Sequence, residues 1–228
     1  MQKWNGKNRA VTLSYDDGVG QDRRLIEILN HYGIKATFNI NSGIQTGANF
    51  WENNGKSIQR MNIEGLPDLY KGHEVAVHSL THPDLTHLDA ATIYNEIYQD
   101  KINLERIFGY PIRGMAYPFG TFNDEVVRVV EDCGLLYSRT TLRTGDFSLP
   151  QDLLRMPATC HHKDADVLDL VMDFLTDESE EARLFYLWGH SYEFDVDENW
   201  DLIEDICCRL SMRNDIFFGT NAEVLLGL

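Results

Sequence analysis

Long hydrophobic runs are missing from this 228-residue sequence: no apolar stretch approaches the roughly 18 residues needed to cross a bilayer, which excludes a membrane span. Cysteine is scarce. Cys133, Cys160, Cys207 and Cys208 show no CxxC spacing, and the vicinal pair cannot readily bridge to itself in a helix, so neither a disulfide framework nor a cysteine zinc centre is expected. Basic residues are few, 20 Lys plus Arg against 36 Asp plus Glu, and the formal charge of -16 repels phosphate backbones and anionic membranes. Nucleic acid is therefore not an expected partner, although acidity alone, which also serves solubility, names no substrate. The opening Met1-Gln2-Lys3-Trp4-Asn5 has no apolar signal core. The expectation is a cytoplasmic protein without a signal peptide, or a secreted or cell-envelope protein in trimmed form. Repeats, linkers and low-complexity tracts are absent too, so residues 1–228 read as one domain.

What is present is an alternation of short β-branched or apolar runs with longer amphipathic stretches, the pattern of βα units around a parallel sheet or barrel. The expected strands are Ala10–Tyr15, Ala36–Ile40, Glu74–Val77, Gly114–Ala116, Leu135–Ser138, Leu154–Ala158, Leu184–Trp188 and Ile216–Phe218. The expected helices are Asp22–Tyr32, Ile58–Tyr70, Ala90–Phe108, Asn123–Cys133, Ala165–Leu175 and Asn199–Asn214. Gly33, Gly109 and Gly134 stand where left-handed end-caps would close three of these helices, and Asp89 is placed to cap the third. The polar stretch from Asn41 to Ser57, with Phe50-Trp51 inside it, reads as a loop on the face where strands end.

Two constellations carry chemistry. The strand Val11-Thr12-Leu13 runs into Ser14-Tyr15-Asp16-Asp17-Gly18, which puts two carboxylates at the end of a strand, the active end of a βα architecture. Adjacent side chains there point to different sides, so one acid can hold a metal while its neighbour faces an attacking water. A plain Asp-Asp-Gly turn is the other reading of those residues. A second strand ends at His78, and His82 follows four residues later before Pro83. Two neutral imidazoles and one carboxylate suit Zn²⁺ and leave positions open for water and substrate, whereas two solvated loop histidines are the alternative. Ser79 and Thr81 are placed to bond ligands or backbone. His73 and His87 read as structural or surface residues, His161-His162 as a surface-loop dipeptide in preference to substrate contacts facing the site, and Glu193, Asp195, Asp197 and Glu198 as a solvated loop capping the last long helix.

Together and in this order, Tyr15-Asp16-Asp17-Gly18 and His78-Ser79-Leu80-Thr81-His82 resemble the first two motifs of the polysaccharide deacetylase family, the NodB homology domain similar to carbohydrate esterase family 4. Ala116-Tyr117-Pro118-Phe119-Gly120 is similar to the third motif and Leu187-Trp188-Gly189-His190 to the last, so the resemblance covers nearly the whole chain. It implies a distorted (β/α) barrel of about seven strands that hydrolyses acetyl groups on carbohydrates. By position it implies Asp16 as general base, His190 as general acid and Asp17, His78 and His82 as ligands of one divalent ion, Zn²⁺ first, with Co²⁺, Ni²⁺ or Fe²⁺ as alternatives. The backbone N–H near Phe119 would serve the oxyanion, and Tyr15, Tyr117, Pro118, Phe119, Gly120 and Trp188 would line the substrate site. Two departures stand out. Ala116 replaces the arginine that pairs with the base aspartate in the family, with Arg113 or another cation as substitute, or a less restrained Asp16, as the readings, and nothing near Gly145-Asp146-Phe147 matches the motif that orients the late histidine.

The expected substrate is an acetylated oligo- or polysaccharide. The alternatives are a hydrolase of a small cyclic amide or other C–N substrate on the same scaffold, and a catalytically silent carbohydrate-binding domain. The sequence is silent on oligomeric state.

Overall fold

The computed structural model describes residues 3–228. In chain order its elements are β1 (Arg9–Asp16), α1 (Asp22–His31), β2 (Ala36–Ile40), β3 (Phe50–Asn53), β4 (Lys56–Gln59), α2 (Leu66–Leu69), β5 (Glu74–Val77), α3 (Ala90–Phe108), β6 (Gly114–Ala116) and α4 (Asp124–Asp132). There follow β7 (Tyr137–Arg143), β8 (Met156–Ala158), β9 (Cys160–His161), α5 (Val167–Thr176), β10 (Arg183–Gly189), α6 (Tyr192–Val196), α7 (Trp200–Ser211), β11 (Ile216–Phe218) and α8 (Asn221–Leu226). No helix among the described residues is long and apolar enough to cross a membrane.

The main sheet runs β8-β7-β6-β5-β2-β1-β10-β9 with every pairing parallel. Its two ends, β8 and β9, are separated by Thr159 alone, whose N–H donates to Tyr186 O at 2.9 Å. One continuous segment, Met156–His161, therefore leaves β7 and joins β10, and the ring closes through it. With β11 added beside the first residues of β1, this is the irregular α/β barrel of about seven strands that the motifs implied.

Parallel strands packed on both faces lose the simple apolar-polar alternation of a surface sheet, yet side chains still alternate between faces. On β1, Val11, Leu13 and Tyr15 belong to the large core between strands and helices, whereas Ala10, Thr12, Ser14 and Asp16 share the opposite face. That inner face is a smaller core of Ala10, Tyr137, Met156, Leu184 and Tyr186, closed at the far end by Trp4, Ala222 and Val224. The same parity places Leu184, Tyr186 and Trp188 on one face of β10 and His190 just past its end, so Asp16 and His190 emerge at one mouth of the barrel.

Asp89 caps α3 by accepting the Thr92 N–H, and Gly109 ends that helix with φ of 76°, as expected. Elsewhere the boundaries move. The expected helix Ile58–Tyr70 does not form: Ile58 lies in β4, and only the four residues of α2 are α-helical. The stretch read as a loop contains the hairpin β3–β4, turned at Asn54 (φ 48°) and Gly55 (φ 74°), the two left-handed residues a tight hairpin requires. The strand expected at Leu135–Ser138 starts later and runs longer, because Leu135 and Leu136 serve as the exit from α4. His73 is structural, accepting the Ala36 N–H at 3.1 Å.

Candidate active site

The strand ends around the barrel mouth carry unusual backbone. Asp17 (φ 85°), Ser79 (φ 64°), His82 (φ 60°) and Phe119 (φ 57°) all adopt left-handed conformations, which cost about 1–3 kcal/mol each for such residues and persist only where surroundings hold them. Ser79 Oγ accepts the His82 N–H at 3.0 Å, and Glu96 takes both the N–H and the hydroxyl of Thr81 at 2.8 Å. The His78–His82 turn is thereby pinned onto α3. Asn41 adds a bond to Ser79 O.

Asp17, His78 and His82 converge: each offers a ligand atom within 4.8 Å of the other two. Their chemistry fits a cation. His78 Nδ1 lies 2.8 Å from Ala116 O, and since a carbonyl only accepts, Nδ1 carries the proton and Nε2 turns a lone pair into the site. Burial lowers the pKa of His78 to about 4 and lowers that of His82, which keeps both imidazoles neutral. Their Nε2 atoms face each other at 3.2 Å, a separation that a shared ion relieves. Two nitrogens and one oxygen with room beside them make the donor set of an open divalent site. Arg60, missed in the sequence, holds Asp17 in place through Nη2 to Oδ1 at 2.8 Å and Nη1 to the Asp17 carbonyl at 2.6 Å.

Asp16 stands beside this triad, its Oδ2 3.9 Å from His78 Nε2 and 3.9 Å from His190 Nε2. Asn39 donates to Oδ1 at 2.8 Å and Arg139 pairs with Oδ2. Burial alone would push this carboxyl up, but Arg139, His78 and His190 outweigh it and bring it down to about 2. The missing arginine is thus supplied by Arg139, not Arg113. Arg139 on β7 is the register partner of Ala116 on β6, so the guanidinium has moved one strand sideways. Its other face lies over the Trp188 ring at 4.2 Å.

His190 Nε2 is also 3.9 Å from Asp17 Oδ2, while Nδ1 lies 3.3 Å from Glu193 Oε2. Burial disfavours its imidazolium, yet Glu193, Asp17 and Asp16 together hold the group up to about 9. The expectation of a solvated acidic loop fails at Glu193, which is largely buried on α6 and orients His190. The surface-loop reading of His161-His162 fails with it: His161 lies on β9, His162 is fully buried, and both stand 3.2 Å from Glu193 Oε2. Asp195 takes the Trp200 indole N–H at 2.7 Å, and Asn199 makes no side-chain cap on α7.

The cavity at this mouth holds about 430 Å³ and is walled by Trp51, Tyr117, Phe119, Gly120, Trp188 and Tyr192 around the two acids and three histidines. Two proposed contacts fall away. Tyr15 is buried in the outer core, stacked on His162 at 5.7 Å, and Pro118 is buried beneath its loop; neither lines the cavity. Phe119 is 64% exposed, and its N–H makes no hydrogen bond among the described residues, while the N–H groups of Gly120 and Thr121 are both engaged. Trp51, from the unexpected hairpin, meets Tyr192 edge-on at 5.5 Å.

A sequence profile of the family described as polysaccharide deacetylase matches residues 3–138, more than half of the chain. The chain belongs to this family. Over 142 residues it is 28% identical to the peptidoglycan-N-acetylglucosamine deacetylase PgdA of Listeria monocytogenes, a match covering 61% of this chain and 27% of that protein. It is 27% identical over 145 residues to a chitooligosaccharide deacetylase of Bradyrhizobium, covering 62% of this chain and 60% of that protein. The chain thus matches less than two thirds of the length of either relative. Among solved structures, a family 4 carbohydrate esterase from Streptomyces lividans, in complex with acetate, superposes with a TM-score of 0.60 at 18% identity, covering 93% of both chains. A family 4 pseudoenzyme of Bacillus anthracis gives 0.59 at 18%, over 96% of this chain and 66% of that one. Likeness at such identity is one of fold. Because it takes in a pseudoenzyme as well as an esterase, the side chains at the barrel mouth must decide activity in this polysaccharide deacetylase family member.

Proposed function

We propose that this chain removes N- or O-linked acetyl groups from a carbohydrate, with one divalent ion, Zn²⁺ before Co²⁺, Ni²⁺ or Fe²⁺, held by Asp17, His78 and His82. The observation that carries the reading is the placement of two further groups, a carboxylate held down to about 2 and an imidazole held up to about 9, within 3.9 Å of that triad. One is built to stay a base and the other to stay an acid. Similarity to the Listeria and Bradyrhizobium deacetylases supports the same class of substrate.

When bound, the ion polarises the acetyl carbonyl and lowers the pKa of water beside it. The residues do the rest. Asp16 accepts one proton from the water as its oxygen bonds to the carbonyl carbon. The free Phe119 N–H offers a donor to the oxygen as it gains charge. His190 Nε2 gives its proton to the departing nitrogen or oxygen as the C–N or C–O bond breaks, leaving acetate and an amine or alcohol. Trp51, Trp188 and Tyr192 offer flat faces to a sugar ring. A silent carbohydrate-binding domain would have no need of these paired protonation states, and a cyclic amide is the other substrate this chemistry would serve.

The test is metal content with acetate release from acetylated chitooligosaccharides and acetylated xylan. Asp17→Ala should lose both metal and activity, and Asp16→Asn should keep the metal while activity falls by roughly 10²–10⁴-fold. Full activity in Asp16→Asn would remove the base assignment, and metal-loaded protein inactive on every acetylated glycan would favour the binding domain.

A further inference from the structure

Glu193 Oε2 is crowded. It lies 3.2 Å from His161 Nε2, 3.2 Å from His162 Nε2, 3.3 Å from His190 Nδ1 and 3.0 Å from the His190 backbone N–H. His161, His190 and Glu193 are close enough together to hold a cation, but the proton positions oppose it. The Lys163 N–H donates to His161 Nδ1 at 3.1 Å, so neutral His161 keeps its own proton on Nε2, the atom facing Glu193. A metal-binding imidazole needs the reverse, a lone pair on the facing nitrogen, which His78 has because its Nδ1 donates to Ala116 O. One cluster is arranged to take an ion and the other to take protons.

We propose that His161 is a positioning residue for the deacetylation, acting through Glu193 on His190. Its Nε2 stands 3.2 Å from Glu193 Oε2, and this close polar contact holds the carboxylate in place. The carboxylate in turn takes the Nδ1–H of His190, which directs His190 Nε2 toward the leaving group beside Asp16 and Asp17. The backbone supports this chain of contacts. His161 on β9 is the register partner of Trp188 on β10, two residues before His190, and its ring meets the Trp188 ring edge-on at 4.4 Å. His162 backs the group from the core, where Gly189 leaves room for it: a Cβ there would stand 2.2 Å from the His162 ring. The inference rests on the reading of His190 as the acid.

The test uses two acetyl donors and a spectrum. An amide nitrogen must be protonated to leave, whereas 4-nitrophenolate leaves unaided, so a fault confined to the acid shows on the first substrate only. For metal-loaded His161→Leu, kcat on an N-acetylated chitooligosaccharide should fall roughly 10–100-fold with KM within about twofold, while hydrolysis of 4-nitrophenyl acetate changes by less than about threefold. His161→Gln, which keeps an N–H near the Nε2 position, should recover most of the loss. In ¹⁵N–¹H spectra of the histidine rings the His190 Nδ1–H resonance should be present in the wild type and displaced or lost in His161→Leu. Equal losses on both donors, or an undisturbed His190 resonance, would overturn the assignment. Should the wild type release acetate from no glycan, the proposed function fails while the resonance still decides the role of His161.

Discussion

Asp16 is buried, and its ionised form survives because Arg139 and Asn39 surround it with donors. Removing one partner of such a pair strands a charge in the interior, which costs about 3–5 kcal/mol where no relaxation helps. Arg139→Ala should therefore raise the Asp16 pKa, move the acid limb of the kcat/KM profile to higher pH and lower kcat/KM at pH 7 by roughly 10²-fold. Because Ala116 is the register partner of Arg139, the double variant Ala116→Arg/Arg139→Ala returns a guanidinium to the neighbouring strand, and it should regain at least about tenfold. An acid limb unmoved in Arg139→Ala would refute the pairing as the source of the low pKa. The proposed ligands and the proposed acid-base pair were legible because they sit in contiguous motifs. Arg139 and Glu193 were not, since each acts across a strand or a turn. Signals existed for both: an arginine inside the strand Tyr-Ser-Arg-Thr-Thr is too costly to bury without a partner, and a glutamate three residues after a histidine can reach back to its ring.

Elements at the mouth differ in how much of them the pattern reveals. The strands that line the barrel read well, because an apolar run that stops within a few residues is too short for a core helix and too apolar for a loop. The hairpin β3–β4 has little core of its own, with Phe50 exposed and only Ile58 fully buried, so its polar composition resembles a loop. Asn54-Gly55 between short alternating segments was nonetheless the hairpin signal. The hairpin matters because it delivers Trp51 and leads into Arg60, whose guanidinium lies 5.3 Å from the Trp51 ring. A wall that contacts substrate away from the reacting bond contributes equally to ground and transition states, so its loss appears in KM. Trp51→Ala should raise KM for an acetylated oligosaccharide roughly tenfold and leave kcat within about threefold, as initial-rate kinetics would record. A fall in kcat at constant KM would instead place Trp51 at the reacting centre.

Across the whole molecule, the acids that build the site also set its response to pH. Asp22, the first residue of α1, ties three parts of the barrel mouth together, accepting from Ser191 after β10 and from Tyr70 OH, at 2.6 Å, after α2. Burial raises it to about 7, against the two hydroxyl donors and with help from the charges of Asp17 and Asp16. A carboxyl raised in the fold contributes stability that is complete below its unfolded value of about 4 and is lost as pH rises through 7. Between pH 5 and pH 8 this one group should remove about 2.6 kcal/mol from the unfolding free energy. His190, held up to about 9, also loses its contribution with rising pH, so the wild-type curve alone does not separate the two. Asp22→Asn keeps the shape and removes the titration. Urea unfolding at pH 5 and pH 8 should then show a smaller loss in the variant than in the wild type by that amount, with the His190 contribution common to both. Identical losses would mean that Asp22 is ionised in the fold throughout this range, and that Ser191 and Tyr70 compensate its burial in full.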